Sequence, residues 1–310
     1  MPRSLRDLRR KMKAIKATRQ VTKAMEMVAA SKMRRAVQSA QMLRQYALTA
    51  WNVLERLADV QPALHPYLTS TPAQKILAIL ITSDRGLCGS LNTNILRVTQ
   101  QYLQRTQLMQ GIESIAFLAV GKKGQQFLAR TGQSVVAAFP ALSNHPTFKE
   151  VLPIARFATE EFLKSTYDHV VLLYPDFISA LLQEPTVKVL LPFSRSDLKA
   201  MLESMLPKKT KRYDDVDALG QGRVNEYVFE PDQDEILGVI LPRLTEMQIY
   251  QAVLEAAASE HSARMVAMRN ATDNASELLD DLSLTYNRTR QEKITAELLE
   301  ISAAKAALEG

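Results

Sequence analysis

The absences in this 310-residue chain are as informative as its contents. No glycine or proline occurs from Arg3 to Gln61, and none from Arg243 to Glu309, although the chain holds 10 glycines and 13 prolines. Inside a helix these residues cost about 1 and about 3 kcal/mol relative to alanine, so the two exclusions predict two uninterrupted terminal helices. At about 1.5 Å per residue each would run on the order of 85–100 Å. Helices of that length must protrude from a small domain, and they need a partner. A single cysteine, Cys88, excludes an intrachain disulfide and any cysteine-based zinc cluster. No uncharged apolar run reaches the ~18 residues of a membrane span. The start of the chain has no apolar core of the signal-peptide kind, so export is not expected. Its Arg- and Lys-rich beginning resembles a mitochondrial presequence, but the helical pattern continues unbroken for some fifty more residues. The chain is expected in the cytosol, or on a membrane from the cytosolic side. Aromatics are scarce, 6% against 46% hydrophobic residues, which leans the core toward helix.

The net charge of +6 is unevenly spread. Residues 1–60 hold 14 Lys/Arg against 4 Asp/Glu, residues 243–310 hold 7 against 11, and the middle holds 18 of each. The basic excess thus sits on the first helix, and the last helix is its acidic complement. Along the first helix, Leu5, Leu8, Met12 and Ile15 recur at spacings of three and four. The same frame continues through Ala29, Met33, Ala36, Ala40, Leu43, Ala47, Ala50, Leu54 and Leu57. That is a heptad seam. In its middle Arg19, Thr22 and Glu26 occupy seam positions, while the apolar Val21, Met25 and Val28 lie on a neighbouring face. In the last helix Met268, Ala271, Ala275, Leu278 and Leu282 keep the spacing. The pattern loses phase across residues 285–293 (TYNRTRQEK) and resumes on a shifted face with Ile294, Leu298, Ile301 and Leu308. Such an interruption fits either a contact surface for an outside partner or a register slip in a coiled coil.

Between the helices the pattern changes. Residues 75–82 (KILAILIT) form an apolar run of the kind buried in a parallel sheet. Further strands are expected at 114–120, 134–139 and 169–174, with helices at about 93–110, 121–130 and 148–167. Residues 177–182 and 186–191 read as extended segments around Pro185. Strand and helix alternating at this spacing predicts a doubly wound, Rossmann-like α/β domain. Residues 206–233 are polar and carry neither period, so they read as an exposed, mobile excursion. The resulting plan is an N-terminal helix over 1–61, an α/β domain over 72–200, an excursion and return over 201–242, and a C-terminal helix over 243–310.

Candidate chemistry is sparse. Residues 83–92 (SDRGLCGSLN) follow the first strand, where ligand-binding loops sit, and contain Asp84, Arg85, Cys88 and two glycines. Neither they nor residues 121–124 (GKKG) match a dinucleotide or Walker A fingerprint, so structural turns are expected. His65, His145, His169 and His261 lack metal-ligand spacing. Cys88 has no supporting nucleophile constellation. The adjacent pairs Asp280–Asp281 and Glu160–Glu161 point different ways on their helices. No active site, cofactor site or metal site is expected. The basic first helix could neutralise phosphates, but few aromatics are interleaved and an acidic helix of similar length is available in the same chain.

Several segments carry a resemblance that goes beyond pattern. Residues 20–35 (QVTKAMEMVAASKMRR), 83–92 (SDRGLCGSLN), 230–237 (EPDQDEIL), 260–274 (EHSARMVAMRNATDN) and 287–300 (NRTRQEKITAELLE) closely resemble, in order, the gamma subunit of the rotary F-type ATP synthase. The resemblance implies an antiparallel coiled coil of the terminal helices, standing inside a ring of alternating alpha and beta subunits. It places the α/β domain at the membrane end, beside the epsilon subunit and the ring of c subunits. It implies a non-catalytic subunit, peripheral to the cytoplasmic side of a bacterial cell membrane, whose rotation drives the beta subunits through different nucleotide affinities. By the same resemblance Met25 is a coupling position, Arg264 lies near it, and Gln291, Thr295 and Glu297 grip the surrounding ring. Two departures stand out. Ala304 and Lys305 replace the family's Gly-Ala pair, which bears on how the C-terminal tip seats. The 206–233 excursion lies where photosynthetic relatives carry a regulatory insertion, but it holds no cysteine for a dithiol switch. The runner-up reading is a coiled-coil nucleic-acid-binding protein with a basic arm, and a dinucleotide-binding enzyme comes third.

Overall fold

The computed structural model describes residues 5–58, 66–69, 71–139, 142, 145–193 and 233–309, with side chains described outside 44–58, 233–237 and 306–309. Helix α1 spans Leu5–Ala58 and a single 3-10 turn covers Pro66–Leu68. Next come β1 (Lys75–Ile81), α2 (Leu91–Leu108), β2 (Ser114–Val120), α3 (Lys122–Arg130), β3 (Val135–Phe139), α4 (Phe148–Leu163), β4 (His169–Phe177) and β5 (Gln183–Leu191). Helix α5 closes the chain over Gln233–Glu309. Two compact units result: Met1–Ala30 with Arg264–Gly310, and Ser31–Ala263. Among the described residues no helix is long and apolar enough to cross a membrane.

The second unit is built on a five-stranded sheet in the order β3-β2-β1-β4-β5, parallel except for the antiparallel β4–β5 pair at one edge. Strand β1 is central and buried on both sides, so its sequence is a run of apolar residues rather than an alternation. The strand period of two still sorts its side chains. Leu77, Ile79 and Ile81 pack with Val151, Ile154 and Ala155 of α4 and with Leu244, Ile249 and Val253 of α5. Ile76, Ala78 and Leu80 face the other way, toward Ile95 and Leu103 of α2 and Leu128 of α3. The Rossmann-like expectation is met, with α5 supplying part of one helical layer.

Several boundaries differ from the sequence reading. Strand β4 continues past Tyr174 to Phe177, and residues 183–191 return beside it with Pro175 opposite Pro185. Proline interrupts a ladder less at an edge, where β5 has no further neighbour to supply with N–H groups. Helix α4 ends at Leu163, four residues early. Helix α5 begins at Gln233 and carries Pro242 inside it, whereas helix was expected only after that proline. Burial explains this: Leu241 and Leu244 are fully or nearly fully buried and hold the backbone on either side of the proline, overriding its local cost. The expected excursion over 206–233 lies, up to residue 232, outside the described residues.

Candidate functional site

In the first unit α1 and α5 run side by side. Thr22 Oγ1 lies 2.8 Å from Thr272 Oγ1, and Arg9 donates to the Tyr286 hydroxyl at 2.6 Å. Thirteen residues along α1 thus match fourteen in the opposite direction along α5, which is antiparallel pairing in nearly constant register. The α1 seam is the expected one. Leu8, Thr22 and Ala29 are buried, and Leu5, Met12, Ile15, Arg19 and Glu26 are half-buried. On α5, Met268, Ala275 and Leu282 are buried as expected, but Leu278 is exposed and Leu279 and Tyr286 take the inner places. The seam therefore continues into the stretch where phase was lost. Tyr286 keeps it, with its ring also under the Arg9 guanidinium at 5.6 Å.

The middle of this pair is polar inside and apolar outside. Thr22 sits in the seam with its Oγ1 3.1 Å from Arg19 O, and Thr272 Oγ1 lies 2.8 Å from Met268 O; one hydroxyl donates across the seam while the other donates to the carbonyl of its own helix. Lys23 Nζ holds the half-buried Glu26 carboxylate at 3.0 Å. Val21 and Val28 meanwhile stand 58% and 54% exposed. Met25 is half-buried on the flank of α1 and Arg264 half-buried on α5. The register given by the threonine pair sets Met25 level with Arg269 and Arg264 level with Ala30, so Met25 and Arg264 stand apart by roughly 8 Å of axial rise.

Beyond Arg290 the character of α5 changes. Every residue over 291–305 is exposed, including Leu298 at 60% and Ile301 at 66%. The register places Leu5, the first described residue of α1, near 289, so α5 continues beyond the described part of its partner. Gln291, Thr295 and Glu297 all lie on this single helix, with Lys293 Nζ 3.6 Å from Glu297. An isolated helix carrying Ile294, Leu298, Leu299 and Ile301 in water is a surface that awaits cover.

In the second unit a cavity of about 240 Å³ opens at the ends of β1 and β4, where the strand order reverses. Such a switch point holds the ligand in many doubly wound folds. Here the chain's own side chains take part of the crevice. Asp84 accepts from the Lys122 backbone N–H at 2.9 Å, placing a carboxylate at the N-terminus of α3, where a phosphate would otherwise sit. Ser83 Oγ and Cys88 Sγ accept from Asn92 Nδ2 at 2.7 and 3.2 Å, which fixes the turn and buries the thiol. Residues of α5, among them Val253, Ala256 and Glu260, close the other wall. His145 lies 3.4 Å from Arg35, His169 meets Thr71 O at 2.9 Å, and His261 is buried. Among the described residues no three metal-ligating side chains of the His, Cys, Asp and Glu types gather; His65 lies outside them.

One ionisable cluster escaped the sequence reading. Glu255 of α5 faces β4 and β5, accepting from Gln251 Nε2 at 2.8 Å. Burial, and then the negative charge of Asp176, raise its carboxyl to about 7; the Gln251 hydrogen bond, Lys188 and a hydrogen bond with Tyr174 oppose this. The Tyr174 phenol is raised above its usual value by burial and by the charges of Glu255 and Asp176. The available signal was the placement of Glu255 between Leu254 and Ala256 in a strongly apolar helical stretch.

A family model described as ATP synthase matches residues 4–308. The chain is 42% identical to the ATP synthase gamma chain of Roseiflexus sp. (strain RS-1) over 308 residues, 98% of each chain. It is 40% identical to that of Herpetosiphon aurantiacus over 319 residues, 98% of this chain and 99% of the relative. Among solved structures, the central stalk and c-ring of Tetrahymena thermophila mitochondrial ATP synthase includes a chain 26% identical with a TM-score of 0.58. That match covers 81% of this chain and 99% of the other. A chain of Euglena gracilis mitochondrial ATP synthase in rotational state 3 shares the fold, with a TM-score of 0.63 at 23% identity over 98% of this chain and 94% of that one.

Proposed function

The chain belongs to the ATP synthase gamma-chain family, and we propose that it works as the central rotor shaft of an F-type ATP synthase. Its task is to couple ion flow through the membrane sector to conformational cycling of the catalytic beta subunits. The observation that carries this reading is the segment of α5 over 291–305, where an apolar stripe stands exposed beyond the first described residue of α1. A helix of this kind is stable in water only inside a sleeve, and a ring of alternating alpha and beta subunits is a sleeve. The apolar flank of Val21, Met25 and Val28 is a second, off-axis contact. A shaft with contacts on one flank presents a different face to each beta subunit as it turns. Each face stabilises one beta conformation over another, which is a coupling free energy between distant sites.

In this reading the subunit catalyses nothing itself. Met25 and Arg264 transmit coupling, and Gln291, Thr295 and Glu297 grip the ring. The α/β unit meets the epsilon subunit and the c ring, and the chain is held at the cytoplasmic side of a bacterial membrane through the complex. Asp84, whose carboxylate occupies the N-terminus of α3 beside the switch-point crevice, supports a scaffold over a dinucleotide enzyme. No observation favours the nucleic-acid reading. A tagged copy of the chain expressed in its source cell is expected to co-purify with alpha and beta ATPase subunits. Recovery with salt-sensitive DNA or RNA and without those subunits would overturn the assignment.

A further inference from the structure

The α/β unit contains an unusual arrangement of charge where α5 lies against the β4–β5 hairpin. Tyr174 and Asp176 of β4 stand directly across from Thr186 and Glu184 of β5, and Lys188 stands across from Leu172. Residues directly opposite in an antiparallel pair share a face, and on this face the buried residues Leu172 and Tyr174 pack with α5. Glu255 of α5 reaches this face through a hydrogen bond with Tyr174, and it also accepts from Gln251 one turn earlier on its own helix. Three carboxyl groups, those of Glu255, Asp176 and Glu184, therefore share one face with one lysine, Lys188, and one buried phenol, Tyr174. Farther along, the hairpin is tied to the same helix by a short bond from Ser262 Oγ to Ala180 O at 2.6 Å. Its turn is closed by Ser179 N–H to Leu182 O at 3.0 Å, and its tip, Leu181 and Leu182, is exposed.

We propose that Glu255 and Asp176 form a proton-operated latch between the long C-terminal helix and the β4–β5 hairpin. With a proton on Glu255, its neutral carboxyl faces Asp176 and the hairpin is held down. When the proton leaves, the Glu255 and Asp176 charges face each other in a poorly hydrated contact, Lys188 offsets them only in part, and the hairpin loosens. The direction follows from linkage. Glu255 binds its proton more tightly in the folded chain than in the unfolded one, so the stabilisation is present in acid and is lost as pH rises through neutrality. The latch concerns the isolated chain, and stands or falls separately from the rotor assignment.

Amide hydrogen exchange of the full chain, read by mass spectrometry at about pH 6 and about pH 8.5 and corrected for the intrinsic rate, tests this. In the wild type, protection of β4, the hairpin turn and β5 is expected to fall by roughly tenfold on going to the higher pH. In Glu255→Gln it is expected to stay near the low-pH level at both. In Asp176→Asn the transition is expected to move to a different pH, because the neighbouring charge is gone. Wild-type protection independent of pH overturns the latch, as does the same fall in Glu255→Gln. Should that variant not fold, an unchanged midpoint in Asp176→Asn overturns it and a displaced one supports it.

Discussion

Thr22 and Thr272 meet hydroxyl to hydroxyl at 2.8 Å in the polar middle of the helix seam, and each oxygen also lies within reach of a carbonyl of its own helix. A polar pair in a seam fixes register at a cost in apolar burial. Only one alignment of α1 on α5 brings these two hydroxyls together, and a slide of one residue leaves both without the cross-helix partner. Thr22→Val and Thr272→Val are each expected to shift stability by about 1 kcal/mol, with a coupling of about 0.5–1 kcal/mol between them. A double-mutant cycle on thermal unfolding measures the coupling, and strict additivity would show that the pair carries no register information.

Met25 is half-buried on the flank of α1, so Met25→Lys leaves the four-carbon stem in place and lets the ammonium reach water. The expected stability cost is below about 1 kcal/mol. The functional effect rests on the rotor reading: a new cation near Arg264 and Arg269, among contacts between shaft and ring, should alter the relative energies of rotational positions. ATP hydrolysis by the assembled complex is expected to survive better than proton-coupled ATP synthesis. Parallel measurements in membrane vesicles decide this, and equal loss of both activities would remove Met25 from the coupling path.

Ile294, Leu298 and Ile301 add little to the folded chain on its own, because all three stand exposed among the described residues. Changing all three to serine is therefore expected to leave the melting temperature of the isolated subunit within error. Assembly should suffer, since each apolar side chain of this size contributes about 1.5–3 kcal/mol when fully covered. Pull-down of alpha and beta subunits at matched concentrations is the measurement. Retained recovery together with a lowered melting temperature would mean that the tip packs within its own chain.

Much of this molecule is legible in the sequence because the governing signals are local and periodic. The buried run of β1, the heptads of α1 through Leu8, Thr22 and Ala29, and the exposed flank of Val21 and Val28 all follow from spacing alone. What escaped depends on the partner element. Leu279, rather than Leu278, faces inward because α1 sets which side of α5 is covered, and the phase of one helix does not report that. Tyr286 looked like part of a polar break because its anchor, Arg9, lies at the other end of the chain. Pro242 read as a helix boundary because its local cost is visible and the burial of Leu241 and Leu244 is not. Glu255 passed unremarked because its environment is supplied by β4 and β5, which are distant in sequence.

Gly121 separates two effects that are usually confounded at glycines. It has φ +94, and a Cβ there would stand 2.1 Å from the Thr82 backbone oxygen. Gly132 also has positive φ, +67, but nothing lies within 4 Å of its Cβ position. Gly132→Ala thus measures backbone strain alone, about 1 kcal/mol. Gly121→Ala adds a collision with backbone that cannot retreat, because Thr82 N–H is bonded to Val120 O at 2.8 Å and Thr82 Oγ1 accepts from Gly124 N–H at 2.8 Å. Its expected cost exceeds about 4 kcal/mol, in the range reserved for broken cores. Melting temperatures of the two variants provide the comparison. If Gly121→Ala is no worse than Gly132→Ala, the β1–α3 contact is looser than its hydrogen bonds indicate, and Asp84 at the head of α3 loses its fixed position with it.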